Sequence, residues 1–239
     1  MGLLDLEASS ISGGLKVGQN ELDELRDKLA CRVNYYNILR HLYFLGPKPR
    51  IMDALIKLAR CVDLKYASGN LARGAELLRK AEALTEESAA LDAIQAEFAR
   101  VFLGPGTPPA PLYESCYRSP EALLMQEVAI AKRKHYFDAG LVPAGPNHIP
   151  EDHLAVELEY LYFLAGEAEQ LWAAGEHKMV MEALRESRRF LQQCLEWLPK
   201  LIDSALANTE EPAISGMALL TLGLLGEDMQ FLIDFCEED

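Results

Sequence analysis

From Glu21 onward, apolar residues recur at three- and four-residue steps, with Leu22, Leu25, Leu29, Val33 and Tyr36 marking one face of a helix. The segment "LGPKP" stops that run at Gly46, since glycine closes helices and proline cannot continue them. The same rhythm predicts helices over about 50–67, 69–83 and 86–103. The last of these enters "GPGTPPAP", where four prolines within seven residues exclude regular structure. A fresh helix starts at "SPEA": Ser119 suits the N-cap, Pro120 the first helical position and Glu121 the positive helix end, and the run reaches about Ala139. After the irregular "GLVPAGPNHIP", the residues Pro150, Glu151 and Asp152 are expected to open another helix. A long region over about 177–207 carries Val180, Leu184, Leu191, Leu195, Leu198 and Ile202 on one side, with Pro199 expected to kink it, and a segment over about 213–236 follows.

No stretch alternates with period two for long enough to make a strand, and no period of about 34 residues marks a helical repeat. The expected fold class is therefore all-α: a single helical bundle, with room for a smaller N-terminal lobe and a hinge near 140–150. The Gly- and Ser-rich residues 1–19 read as a flexible arm ahead of a helical domain over 20–239.

Charge narrows the partners. The chain holds 37 Asp and Glu against 23 Lys and Arg, a net charge of −14, so a phosphate backbone or an anionic membrane is disfavoured and a basic partner is attracted. Five cysteines make an odd count with no Cys-x-x-Cys pair, which fits reduced, independent thiols rather than a disulfide framework or a zinc site. The N-terminus lacks the basic region of a secretory signal. The longest uncharged apolar run, Pro212 to Gly226, is shorter than the roughly 18 residues of a membrane span. A cytoplasmic protein without stable membrane insertion is the expectation. The Lys132-Arg133-Lys134 run is read as a solvated face near its helix C-terminus, and Tyr35, Tyr36, Tyr43 and Phe44 as core or groove wall.

Catalytic chemistry finds little support. The residues three before each histidine are Ile38, Lys132, Gly145, Pro150 and Ala174, so the Glu-x-x-His pairs of a di-iron bundle do not occur. There is no His-Glu-x-x-His, phosphate-binding glycine loop or dinucleotide turn, and no cofactor is expected. One segment keeps the question open. "NHIPEDHLAVELEYLYFLAG" places His153 and Glu157 four apart, on one face if both are helical, with His148 upstream as a third ligand for a metal-dependent enzyme. The plainer reading has Asp152 capping the helix and His153 packed at a junction.

Four ordered segments carry a resemblance. "YYNILRHLYFLGPKP", "EFARVFLGPGTPPAPLYESCY", "IPEDHLAVELEYLYFLA" and "FLQQCLEWLPKLIDSAL" together resemble the TorD/DmsD family of cytoplasmic redox-enzyme maturation chaperones. The third is similar to that family's Glu-Pro-x-Asp-His signature, with Ile149 in place of the usual Glu. The resemblance implies a non-catalytic chaperone. Its partners would be the catalytic-subunit precursor of a molybdenum-cofactor oxidoreductase and that precursor's twin-arginine leader, held until the cofactor is inserted. It further implies that Tyr113, Glu114, Ser115, Tyr117, Pro150, Asp152 and His153 line the leader site. The protein is expected as a monomer or, through the 140–150 hinge, a domain-swapped dimer. A generic helical interaction module remains the other alternative. The acidic balance suits a leader with a cationic front and an apolar body.

Overall fold

Helix boundaries fall largely where proline and glycine stand. The computed structural model describes residues 19–67, 69–85, 88–118, 126–142 and 149–236. Among these residues the chain is all-α, with ten α-helices and no strand. Helix α1 (Gln19–Leu45) ends at Gly46, whose φ of 76° is left-handed backbone that glycine adopts without strain. Pro49 opens α2 (Pro49–Cys61), where its missing N–H is not needed, and Met52, Leu55, Ile56 and Ala59 form the buried stripe of that helix. Helices α3 (Gly69–Thr85) and α4 (Ser88–Phe98) follow, and α4 runs into a π-helical turn over Ala99–Leu103. The proline-rich loop then leads to the single turn α5 (Ser115–Arg118). Helices α6 (Gln126–Asp138), α7 (Leu154–Ala173), α8 (His177–Leu195), α9 (Leu198–Ala207) and α10 (Pro212–Cys236) complete the set.

Three sequence expectations shift. The helix expected over about 50–67 stops at Cys61, and the chain over 62–67 is not helical. The region over 177–207 is two helices rather than one kinked helix: α8 stops before Glu196, and Pro199 lies in the first turn of α9, where proline is tolerated. Helix α7 begins at Leu154, so Pro150, Glu151 and Asp152 precede it instead of opening it. The residues Ser119, Pro120 and Glu121, most of the N-terminal arm and the hinge segment 143–148 lie outside the described residues.

One buried core joins helices from both ends of the chain. Helix α1 packs along α7, α7 along α8, and α3 along α10. Helix α10 is long and apolar enough to cross a membrane by length and composition, and 61% of its most apolar window is buried in the fold. Its contact with α3 is unusually close. A Cβ on Gly74 would lie 2.3 Å from the Leu220 backbone nitrogen, and one on Gly223 would lie 2.5 Å from the Leu71 backbone. Both helices therefore depend on the absent side chains to approach. A buried polar lock ties α1 to α10. The Arg32 guanidinium meets Asp228 at 2.7 and 3.2 Å, and the Tyr36 hydroxyl donates to the same carboxylate at 2.6 Å. The aromatic residues expected as core or groove wall divide between the two: Tyr35, Tyr36 and Tyr43 are core, whereas Phe44, 64% exposed, stands in a groove wall.

Candidate functional site: a buried latch beside an apolar groove

The loop before α5 and the turn before α7 meet as a two-bond antiparallel bridge. The Glu114 amide donates to the Asp152 carbonyl at 2.9 Å, and the Leu154 amide donates to the Leu112 carbonyl at 2.8 Å. That register sets the Tyr113 and His153 rings edge to face, with centroids 4.9 Å apart. The Ser115 amide donates to the Asp152 carboxylate at 3.2 Å, so Asp152 serves the start of α5 and not of α7. The cap of α7 is His153, whose Nδ1 accepts from the Ala155 amide at 3.1 Å. This reverses the assignment expected from sequence. Nδ1 accepts, so the neutral ring carries its proton on Nε2; burial supports that form by pushing the imidazole pKa down to about 4.

The seven residues expected to line a site are thus brought together, but mostly inward. Glu114, Ser115, Asp152 and His153 are buried, Tyr113 and Tyr117 are half-buried, and Pro150 is exposed. Glu114 leads into a charged cluster beneath the bridge. Lys132 Nζ, on α6, lies 3.1 Å from both Glu114 Oε2 and Glu157 Oε1, and 4.4 Å from the centroid of Phe190. Trp197 Nε1 donates to Glu157 Oε2 at 3.2 Å, and its indole stacks on Tyr117 at 5.6 Å. Arg118 pairs with Glu114 at 2.7 Å and, across the surface, with Glu196 at 2.6 Å.

Electrostatics divides the two carboxylates. Burial and the nearby Glu114 push Glu157 up to about 7 despite the opposing pull of Lys132. Burial acts the same way on Glu114, but Lys132, Glu157 and Arg118 outweigh it and hold that carboxyl below its ordinary value. Burial alone would lower Lys132; Glu157 and Glu114 reverse this and keep it cationic. The expectation of a solvated Lys132 is therefore wrong: it is 5% exposed and bridges two helices and a loop.

The arrangement is not one that holds a metal. His153 caps α7 through Nδ1, and Glu157 is engaged by Lys132 and Trp197. Among the described residues no three His, Cys, Asp or Glu side chains converge, and His148 lies outside those residues.

Beside this latch the turn before α7 walls an apolar groove of about 600 Å³. Phe44 and Leu45 from the end of α1, Leu141 and Val142 after α6, and Val156 and Tyr160 on α7 are among the residues that line it. Ile149, the residue that departs from the Glu-Pro-x-Asp-His pattern, lines the same wall. Two ion pairs stand within it: Arg133 with Glu151, at 2.5 and 3.1 Å, and Arg40 with Glu159.

A comparison with protein families decides the lineage: the nitrate reductase delta subunit family matches residues 66–203, well over half the chain. The chain belongs to that family. Members of the nitrate reductase delta subunit family are maturation chaperones of molybdenum redox enzymes and not catalysts, which agrees with a site built from structural ion pairs. No curated protein is similar enough to add a second comparison. The match spans α3 to α8 whole, and so includes the latch from Leu112 to Leu154 and the α6 and α7 walls of the groove.

Sequence reasoning missed Lys132, Trp197 and Arg118 as partners of the latch, and Arg40, Glu151 and Glu159 as groove residues. The Trp197-x-Pro199 segment carried one usable signal, since a buried indole N–H needs an acceptor. Arg118 carried another, its four-residue spacing from Glu114; Lys132, Arg40, Glu151 and Glu159 carried none, because their partners lie on other segments of the chain.

Proposed function

We propose that this delta-subunit-family protein is a cytoplasmic chaperone of the TorD/DmsD type, binding the twin-arginine leader of a molybdenum-cofactor oxidoreductase subunit and delaying export until the cofactor is in place. The observation that carries this reading is the groove: an apolar cleft of about 600 Å³ with two carboxylates in its wall, in a chain of net charge −14. A leader helix has an apolar body for such a cleft and a cationic front for the carboxylates. Exposed aromatic and aliphatic side chains are otherwise unfavourable at a protein surface, so Phe44 and Val142 gain most from being covered.

In this reading the seven signature residues act at one remove from the leader. Pro150 stands at the rim, while Tyr113, Glu114, Ser115, Tyr117, Asp152 and His153 fix the turn that positions Ile149, Glu151 and the start of α7. The bound partner is then the precursor of a catalytic subunit, met before it leaves the cytoplasm.

Calorimetry against synthetic twin-arginine leaders from molybdoenzymes of the same genome tests this directly. Saturable binding to one leader, weakened by Arg-Arg→Ala-Ala in the peptide and by Phe44→Asp in the protein, is the expected result. Phe44 is exposed, so its replacement leaves the core intact. Undiminished binding by the Phe44→Asp protein removes the groove as the seat. Absence of binding to every leader removes the leader reading.

A further inference from the structure

We propose that the Glu151 carboxylate is a guanidinium seat, occupied in the free protein by the chain's own Arg133 and surrendered to an arginine of the bound peptide. This rests on the leader reading and names the residue that receives the charge.

The two partners are unequal. The Glu151 side chain is 3% exposed and the Arg133 side chain 56% exposed. The Tyr136 hydroxyl donates to the Glu151 carbonyl at 3.1 Å, so the backbone that carries the carboxylate is held against α6. Arg133 approaches from outside as a fork, Nε to Oε1 at 2.5 Å and Nη2 to Oε2 at 3.1 Å. A fixed, buried acceptor is thus covered by an exposed donor. Moving Arg133 into water exposes a charge that hydrates readily, whereas withdrawing two charged hydrogen bonds from a carboxylate buried in an apolar wall is costly. Exchange therefore requires a replacement of the same shape. A second guanidinium supplies two parallel N–H groups in one plane, and an ammonium does not.

The other arginine in the groove behaves differently. Asn37 Oδ1 accepts from Arg40 Nε at 3.0 Å and from Nη2 at 2.8 Å, and the guanidinium lies 4.4 Å from the Tyr162 ring centroid. Arg40 is consequently part of the wall. Its partner Glu159 is the exposed member, at 57%, and its carboxylate oxygens have room for a further donor. A pair of adjacent arginines would meet one site that exchanges and one that is shared. The resident Arg133 also acts as a filter: it pairs with Glu151 when no client is present, and a lysine-bearing peptide gains too little at that position to displace it.

The test uses the full chain, with Arg133→Ala, Glu151→Gln and the double variant checked for helicity and melting. Two ligands are titrated: a twin-arginine leader with its twin-lysine counterpart, and N-acetyl-argininamide followed by NMR. Arg133→Ala should bind the leader about tenfold more tightly than the parent, the effect of restoring one charged hydrogen-bond pair. It should also take up millimolar N-acetyl-argininamide that the parent does not bind. Both gains should vanish in Arg133→Ala/Glu151→Gln, and the twin-lysine peptide should gain far less. Parent-like affinity of Arg133→Ala for both ligands overturns the seat, as does a gain that survives loss of the Glu151 charge. Leaders that bind no variant, while N-acetyl-argininamide still distinguishes Arg133→Ala from the double variant, support the seat and overturn the leader reading.

Discussion

Two buried groups of the latch titrate in overlapping windows with opposite effects on stability. Glu157 has an ordinary pKa of 4.5 and rises to about 7 in the fold, chiefly through burial. Between those values the native state holds a proton that the unfolded chain has lost, so stability falls as pH rises from about 4.5 to about 7. His153 moves the other way, from 6.5 down to about 4, again through burial. There the unfolded chain holds the extra proton, so stability is full above pH 6.5 and is lost as pH falls toward 4. At about 1.4 kcal/mol per pKa unit each contribution is on the order of 3 kcal/mol, and the two nearly cancel across pH 4.5–6.5. Urea unfolding of the parent, Glu157→Gln and His153→Asn at four pH values separates them. Asparagine is chosen because it can still cap α7. Relative to the parent, Glu157→Gln should gain stability with rising pH over that range, and His153→Asn should lose it. Variant-minus-parent curves that are flat for both substitutions refute the assignment of these pKa values to burial in the latch.

Removing the cation from the latch should be more damaging than removing either surface pair. Lys132→Met leaves Glu114 and Glu157 facing one another and should cost about 3–5 kcal/mol in urea unfolding at pH 7.5, with partial recovery near pH 5, where keeping Glu157 protonated in the fold costs less relative to the unfolded chain; a loss below about 1 kcal/mol contradicts the bridging role. At the α3–α10 contact, Gly223→Ala should lower the melting temperature by about 5 °C or more, for a cost of about 2 kcal/mol or above, because its Cβ would sit 2.5 Å from the Leu71 backbone. Gly226→Ala, at an exposed position of the same helix with open space around it, is the control and should hold or slightly raise the melting temperature, since alanine favours helix over glycine by about 0.5–1 kcal/mol. Equal melting of the two proteins would mean that the helices separate at little cost.

The helices were legible because burial on one face imposes a period that survives without knowledge of the partner. Met52, Leu55, Ile56 and Ala59 mark α2 whichever helix covers them. Local punctuation was legible for the same reason at Gly46 and Pro49. It was ambiguous at Pro199, because a proline that kinks a helix and one that starts a new helix look alike until the break at Glu196–Trp197 is seen. The latch was half legible. Asp and His beside a helix start both announce a cap, and only the tertiary bridge to Leu112 and Glu114 decides that His153 takes α7 while Asp152 turns to α5. Lys132 was misread because an isolated basic run carries no mark of burial. Its solvation is replaced by two carboxylates and a ring contributed by distant segments.

This division has a consequence for how function is written into the chain. The latch needs particular side chains at particular bond lengths, so it leaves a motif: Tyr-Glu-Ser-x-Tyr over 113–117 and Pro-x-Asp-His over 150–153. The groove needs only apolar area and carboxylates in its wall, and Phe44, Val142, Val156 and Tyr160 meet that need without any spacing rule. Ile149 sits where the two meet. It occupies the first position of the motif and also lines the groove. An apolar residue there makes the wall more apolar and leaves Glu151 and Glu159 as the groove's carboxylates. On the proposed leader reading, discrimination among clients rests on the guanidinium geometry at Glu151 and on the shape of the apolar floor, with the motif serving to hold both in register.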